Sequence, residues 1–286
     1  MARCEVCFRH CEIPEGKRGF CGARIADGGQ VRAENYGKIT SLALDPIEKK
    51  PLSRFHPGST ILSVGSYGCN LRCPFCQNHE ISWSAEAMRL REEAETITPE
   101  ELVRCALRYR PFGSIGIAFT YNEPLIGWEF VRDTAELAHR HKLLNVLVTN
   151  GTAELPVLEA LGPYIDAMNI DLKGFTERYY NGVLGGSLET VKAFIARAVQ
   201  LCHVELTTLI VPGENDSEDE MQALSGWIAD LKDRDGNTIG GEIPLHVSRF
   251  FPRFHMTDRA ATSPALVYRL ADIAREKLRF VCPGNC

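Results

Sequence analysis

No apolar run in the sequence is long enough to span a bilayer. The most hydrophobic stretches, such as Leu143 to Val148, fall far short of the roughly 20 residues that a membrane helix needs. The opening Met-Ala-Arg-Cys lacks an apolar core followed by a cleavage site. No secretory leader is therefore expected, and a cytoplasmic location is. A dominant sign of charge is also missing: at a net −5 over 286 residues, neither nucleic acid nor a membrane surface is an expected partner. Low-complexity stretches are few, and 44% hydrophobic with 24% charged residues describes a folded globular chain. Its length suits one large domain with a small appendage.

Cysteine, by contrast, is abundant. Eleven residues are too few for a disulfide scaffold in a chain that can bury a core, so metal ligation is their expected use. Nine fall into three groups: Cys4/Cys7/Cys11/Cys21, Cys69/Cys73/Cys76 and Cys282/Cys286. Cys105 and Cys202 stand apart and read as core filler on helices.

Residues 1–57 read as a small cysteine-rich extension, with a hairpin expected between Gln30 and Leu42 around Gly37, and Pro51 and Pro57 marking the passage onward. Over 58–286, strand-like runs at Ile61–Ser66, Ile115–Thr120, Leu144–Thr149, Ala167–Asp171, Val204–Ile210 and Ile243–Ser248 alternate with helical patterns near 99–109, 128–142, 154–161, 187–202, 217–233 and 263–278. The first helix opens Thr98-Pro99-Glu100-Glu101, a capping-box spacing with proline at the first helical position. Repeated β-then-α units imply right-handed crossovers and a parallel sheet. The expected fold is α/β, a partial (β/α)6 TIM-like barrel with the N-terminal cysteine-rich metal-binding extension. The active site is expected at the C-terminal ends of the strands, where Gly68–Cys76, Thr120–Pro124, Thr149–Gly151, Asp171–Lys173, Val211–Asn215 and Arg249–Phe254 gather. The motif-free stretches 77–97 and 249–262 are the expected substrate-contacting loops.

Gly68-Cys-Asn-Leu-Arg-Cys-Pro-Phe-Cys76 spaces its cysteines C-x₃-C-x₂-C directly after the first strand. A short loop of this kind wraps a cubane cluster, and three ligands leave a fourth iron open for catalysis. A zinc knuckle completed by a distant ligand is the structural alternative. Phe75, beside the last cysteine, is placed to shield such a cluster. Asn150 can hydrogen-bond a ribose or carboxylate, while Gly151 permits close backbone approach. Asn169, Asp171 and Lys173 share one face of the fourth strand, and Asp171 and Lys173 can satisfy one another as a structural pair. His246 reads as a satisfied core histidine, and Arg249 and Arg253 border the site.

The cysteine loop resembles the signature of the radical S-adenosylmethionine superfamily. The wider run through Asp45–Leu52, Gly68–His79, Phe119–Pro124, Asn169–Lys173, Pro212-Gly213 and Gly284-Asn285 resembles the radical enzyme of the AmmeMemoRadiSam system, a relative of pyruvate formate-lyase activating enzyme. That family continues past the Gly-Asn with a further cysteine pair, whereas this sequence stops at Cys286. The resemblance implies a [4Fe–4S] cluster on Cys69, Cys73 and Cys76, with S-adenosylmethionine chelating the open iron. It implies that Glu123 grips the methionine ammonium, that Lys173 neutralises the carboxylate, and that Asp171 holds the cofactor or a monovalent cation. Val211–Asn215 is expected to turn under the adenine. The implied partners are S-adenosylmethionine, a small-molecule or protein substrate, and an electron donor such as flavodoxin or ferredoxin.

Cys4, Cys7, Cys11 and Cys21 supply four closely spaced thiolates, which suit either a structural zinc or an auxiliary iron–sulfur cluster. Cys282 and Cys286 either complete such a site or are incidental. The expected function is that of an enzyme cleaving S-adenosylmethionine to a 5′-deoxyadenosyl radical that abstracts hydrogen from a substrate. The alternatives are an activase for a glycyl-radical enzyme, or a non-catalytic iron–sulfur or zinc protein for electron transfer or binding.

Overall fold

The computed structural model describes residues 1–286. One eight-stranded sheet runs in chain order through Ser41–Pro46, Thr60–Gly65, Ser114–Phe119, Leu144–Thr149, Ala167–Asp171, His203–Ile210, Leu245–Arg249 and Val281–Gly284. Ser41–Pro46 is antiparallel to its neighbour and every other pairing is parallel. Helices Pro99–Tyr109, Trp128–Arg140, Leu155–Leu161, Leu188–Ala198, Glu218–Ala229 and Pro264–Arg275 lie between the strands. The expected (β/α)6 partial barrel is thus the fold, with one strand added at each edge. Both additions carry weak strand signals. Ser41–Pro46 lies half outside any core, and Val-Cys-Pro-Gly at 281–284 reads as a turn, since proline is confined to edge strands. No helix is long and apolar enough to cross a membrane.

Local chemistry sets the helix starts. Thr98 and Glu101 form the reciprocal capping box, and Ser187, Ser217 and Ser263 each accept from a first-turn backbone N–H. Pro99–Tyr109 then buries Leu102, Val103 and Ala106.

Strand alternation divides the sheet into two apolar faces. Leu62, Ile117, Phe119, Leu147, Met168 and Ile170 point outward into the large core beneath the helices. Ile61, Ala118, Val146 and Ala167 point inward and pack on Ile47 and Leu52. The segment carrying Ile47 and Leu52 thus closes the barrel at the N-terminal ends of the strands. Its polar groups are met from inside: Asn169 Nδ2 donates to Pro51 O at 2.8 Å. Glu205 accepts from Ser53 N at 2.9 Å, Arg54 N at 2.7 Å and His246 Nε2 at 2.7 Å.

Three local expectations are corrected. The N-terminal hairpin is Arg24–Asp27 with Gln30–Ala33, turning on Gly28-Gly29 at φ +60° and +77°. It does not turn on Gly37, whose own neighbours Lys38–Ile39 pair with Glu95–Thr96; two adjacent glycines free to take positive φ make the tighter turn. The stretch 77–97 is no plain loop but carries helices His79–Ser82 and Ala85–Glu93, the latter capped by Ser84. Helices also end earlier than periodicity suggests, at Ala198, Ala229 and Arg275.

Candidate active site

A cavity of about 350 Å³ opens at the C-terminal ends of the barrel strands. Cys69, Cys73, Cys76, Glu123, Asn150, Asp171 and Lys173 all line it. Alternation explains the strand contributions, because Thr120, Val148, Asp171, Thr207 and Leu209 continue the inward face above the plug.

The cysteine loop leaves the first barrel strand through Gly68 at φ +96°. A Cβ there would stand 2.8 Å from Cys21 O, Ala23 Cβ and Ile126 Cδ1, so only glycine lets the loop pass so close to the N-terminal layer. Arg72 fixes the turn from within, donating from Nη1 to Cys69 O at 2.8 Å and Leu71 O at 2.7 Å. Its backbone N–H reaches Leu184 O at 2.9 Å. Phe75 is buried and meets Phe250 edge to face, with ring centroids 6.2 Å apart.

The thiols of Cys69, Cys73 and Cys76 are free. Burial pushes all three upward, Cys73 to about 11, so the metal-free loop holds neutral thiols that release protons on ligating metal. Cys69 Sγ accepts from Leu71 N at 3.4 Å and Asn150 Nδ2 at 3.8 Å. No three Cys, His, Asp or Glu side chains converge tightly enough for a single ion. Sulfur-only ligands, N–H donors aimed at sulfur and wide spacing around one cavity suit a multinuclear iron–sulfur cluster.

Glu123 stands across the cavity and is buried. Its Oε1 accepts from Thr149 Oγ1 at 2.7 Å and Leu125 N at 3.0 Å, and its Oε2 from Asn150 N at 2.7 Å. Burial raises the carboxyl to about 7, helped by the charge of Asp171 and opposed by those three hydrogen bonds. A carboxylate so short of positive charge favours a cationic ligand. Lys173 Nζ is 2.7 Å from Asp171 Oδ2. Burial opposes the ammonium, but the charge and hydrogen bond of Asp171 hold it firmly protonated. The loop after this strand is anchored by Tyr180 OH, which accepts from Lys173 N at 3.0 Å, and by Asn215 Nδ2, which donates to Lys173 O at 2.7 Å.

Other motif residues lie elsewhere. Asn169 serves the plug and accepts from Thr207 Oγ1 at 2.9 Å. His246 is the satisfied core residue expected, bound to Glu205. Val211–Asn215 stays off the cavity wall; its Asn215 closes a local turn by accepting from Val211 N at 2.7 Å. Arg249 and Arg253 do line the cavity, Arg249 donating to Thr262 O at 2.6 Å.

Two networks escape sequence reading. Asp45 Oδ2 accepts from Lys50 Nζ at 2.8 Å and Tyr121 OH at 2.6 Å, which pins Tyr121 at φ +73° beside Glu123. Burial opposes the Asp45 charge, yet Lys50 and Tyr121 hold the carboxyl down at about 2. The Asp45–Lys50 run is visible in the sequence, but its partner lies 76 positions from Asp45. Asn70 is the second: its Oδ1 accepts from Asn150 Nδ2 at 2.9 Å and its Nδ2 donates to Thr152 Oγ1 at 2.8 Å. Of the remaining cysteines, Cys282 lies 3.5 Å from Ser53 Oγ at the closed end of the barrel and Cys286 is exposed.

The family model for the radical SAM superfamily matches residues 63–224. An uncharacterized protein of Methanocaldococcus jannaschii is 41% identical over 286 residues, covering 99% of this chain and 81% of that relative. The pyruvate formate-lyase-activating enzyme of Clostridium pasteurianum is 25% identical over 58% of this chain and 68% of its own length. Among solved structures, Streptococcus suis SuiB bound to S-adenosylmethionine gives a TM-score of 0.58 at 13% identity, over 79% of this chain and 52% of SuiB. HydG, a maturase of the [FeFe]-hydrogenase, gives 0.56 at 13% identity over 77% of this chain and 50% of its own. These structural likenesses support the fold, and the matched span runs from the first barrel strand past the cysteine loop to the fifth crossover helix. The chain belongs to the radical SAM superfamily.

Proposed function

We propose that the protein cleaves S-adenosylmethionine reductively and uses the resulting radical on a substrate of its own. The observation that carries this reading is the convergence of three free cysteines, Glu123, Asn150, Asp171 and Lys173 on one cavity. Family membership implies a [4Fe–4S] cluster and S-adenosylmethionine. Cys69, Cys73 and Cys76 are the proposed ligands, and when bound the cluster supplies the one electron that breaks the sulfonium to methionine and a 5′-deoxyadenosyl radical.

In this reading the chain's own residues bind, orient and exclude water. Glu123 takes the methionine ammonium by a charge-assisted bond and ionises on doing so. Lys173 meets the carboxylate while Asp171 keeps that ammonium fixed. Asn150 approaches Cys69 Sγ with its amide and steadies the loop through Asn70, and Phe75, packed on Phe250, would shield a cluster held there. Fixed placement keeps the radical near one hydrogen donor and away from solvent. An external donor such as flavodoxin or ferredoxin is the proposed source of the electron.

The reading divides the chain into a cysteine-rich unit over 1–57, from which Ser41–Pro46 reaches into the barrel sheet, and a catalytic barrel over 58–286. The unit's Cys4, Cys7, Cys11 and Cys21 are proposed as a second metal site. An activase acting on a glycyl-radical partner is the second reading, favoured by the likeness to pyruvate formate-lyase-activating enzyme. Cofactor binding tests the main proposal. Anaerobically purified protein is reduced with dithionite and titrated with S-adenosylmethionine, and the EPR signal of the reduced cluster is followed. A changed signal that Glu123→Gln weakens at least tenfold in affinity is expected; a signal indifferent to S-adenosylmethionine would refute the proposal.

A further inference from the structure

The N-terminal cysteines are not a remote staple. Cys7 pairs with Ala153 in a β-bridge, and Glu154 N donates to Val6 O at 2.9 Å, so the layer docks on the loop that follows Asn150. Cys21 O is one of the atoms that forbid a side chain at Gly68. Asn70, one residue after Cys69, lies between both cysteine groups: its Nδ2 donates to Thr152 Oγ1 at 2.8 Å, in the loop on which the Cys7 segment docks, and its Oδ1 accepts from the same Asn150 amide that approaches Cys69 Sγ. Arg9 donates to Asn70 O at 2.7 Å, and its charge acts on Cys7, Cys11 and Cys21 on one side and on Cys69 on the other.

A buried positive charge also faces two of the four thiols. Arg24 is 4% exposed; its two terminal nitrogens serve Glu129 at 2.8 and 2.9 Å, while its Nε–H has no partner. The thiols on which this guanidinium acts are Cys4 and Cys21. A buried N–H without a partner costs free energy unless something accepts it, and a sulfur-rich anionic group at the four cysteines is such an acceptor. The four thiols act on one another electrostatically, yet no three lie at single-ion spacing. A tetrahedral zinc, with sulfur at about 2.3 Å, needs a tighter set. Charge and hydrogen bonds on sulfur set a cluster's reduction potential, whereas zinc has no potential to set.

We infer that Cys4, Cys7, Cys11 and Cys21 hold a second iron–sulfur cluster rather than zinc, coupled to the barrel cluster across Asn70 and Arg9. This goes beyond the proposed cofactor cleavage and is tested without it. The triple variant Cys69→Ala/Cys73→Ala/Cys76→Ala, isolated anaerobically, is assayed for iron, labile sulfide and zinc. About half the wild-type iron with matching sulfide, and a dithionite-reducible EPR signal, is expected; zinc in place of iron would overturn the inference. Should that variant not fold, Cys7→Ser in the otherwise intact chain is expected to lose about half its iron and keep the barrel signal, and full retention of iron overturns it. Coupling is read from Arg9→Gln, which is expected to lower the midpoint potentials of both clusters, with Arg9→Lys restoring them. A shift confined to one signal, or none, contradicts the coupling.

Discussion

Glu123 and Glu205 are both buried carboxylates, yet their surroundings drive them in opposite directions. Glu123 has three neutral donors and no cation, and burial lifts it from 4.5 to about 7. A carboxyl whose folded pKa lies above its unfolded value penalises the ionised fold. Stability from this group is therefore present below pH 4.5 and lost as pH rises toward 7, by on the order of 3 kcal/mol. Glu123→Gln removes that loss: the metal-free variant is predicted to be more stable than wild type at pH 8 and equal to it at pH 4.5. Paired urea titrations at the two pH values check this. A variant that is both stabilised and poor at binding S-adenosylmethionine identifies Glu123 as a ligand group held at a cost to folding. Glu205 is the reverse. Burial alone would raise it, but His203, His246 and the N–H groups of Ser53 and Arg54 outweigh burial and hold it far below the usual carboxylate range. Its contribution is present above the unfolded value of 4.5 and lost as pH falls below it. Glu205→Gln is predicted to melt lower than wild type at pH 7, with the gap narrowing below pH 4.5 in calorimetry.

At the scale of elements, two segments position the site without touching the cofactor's place. The plug at 47–55 fills the barrel's lower half, and Glu205→Ala strands two backbone donors and two histidines beneath it. We predict a loss of about 3 kcal/mol in denaturant unfolding, with the iron content of the cysteine loop unchanged. The crossing at Gly68 is the other. Gly68→Ala demands a strained φ of +96° and presses on Cys21 O. A loss of at least about 2 kcal/mol is predicted, with iron lost from both cysteine groups, since the change drives the layers apart. Sequence reading reached the six barrel strands and the cysteine loop because period-two apolar runs and C-x₃-C-x₂-C spacing are local signals. It missed the plug, because Pro51-Leu52-Ser53-Arg54 has no pattern of its own and is held by Asn169 and Glu205 from distant strands. It missed the Val281–Gly284 strand because neighbours, not residue preference, make it extended. Tyr121 and Asn70 were passed over for the same reason, their partners being set by the fold.

For the whole molecule, an open sheet plugged at one end leaves a cavity at the other, lined by the polar strand ends Thr120, Thr149, Asp171 and Thr207. The N-terminal layer docks on the cysteine loop from outside, and Asn70, bonded to Arg9 on one side and to Asn150 of the cavity wall on the other, joins the two. That arrangement is intelligible for radical chemistry, where one electron must arrive and a reactive intermediate must stay enclosed. The most direct test is anaerobic incubation of the iron-replete protein with dithionite and S-adenosylmethionine, with 5′-deoxyadenosine quantified over time. Wild type is predicted to form 5′-deoxyadenosine and Cys73→Ala none. Absence of product from iron-replete wild type, or continued cleavage by Cys73→Ala, would contradict the account.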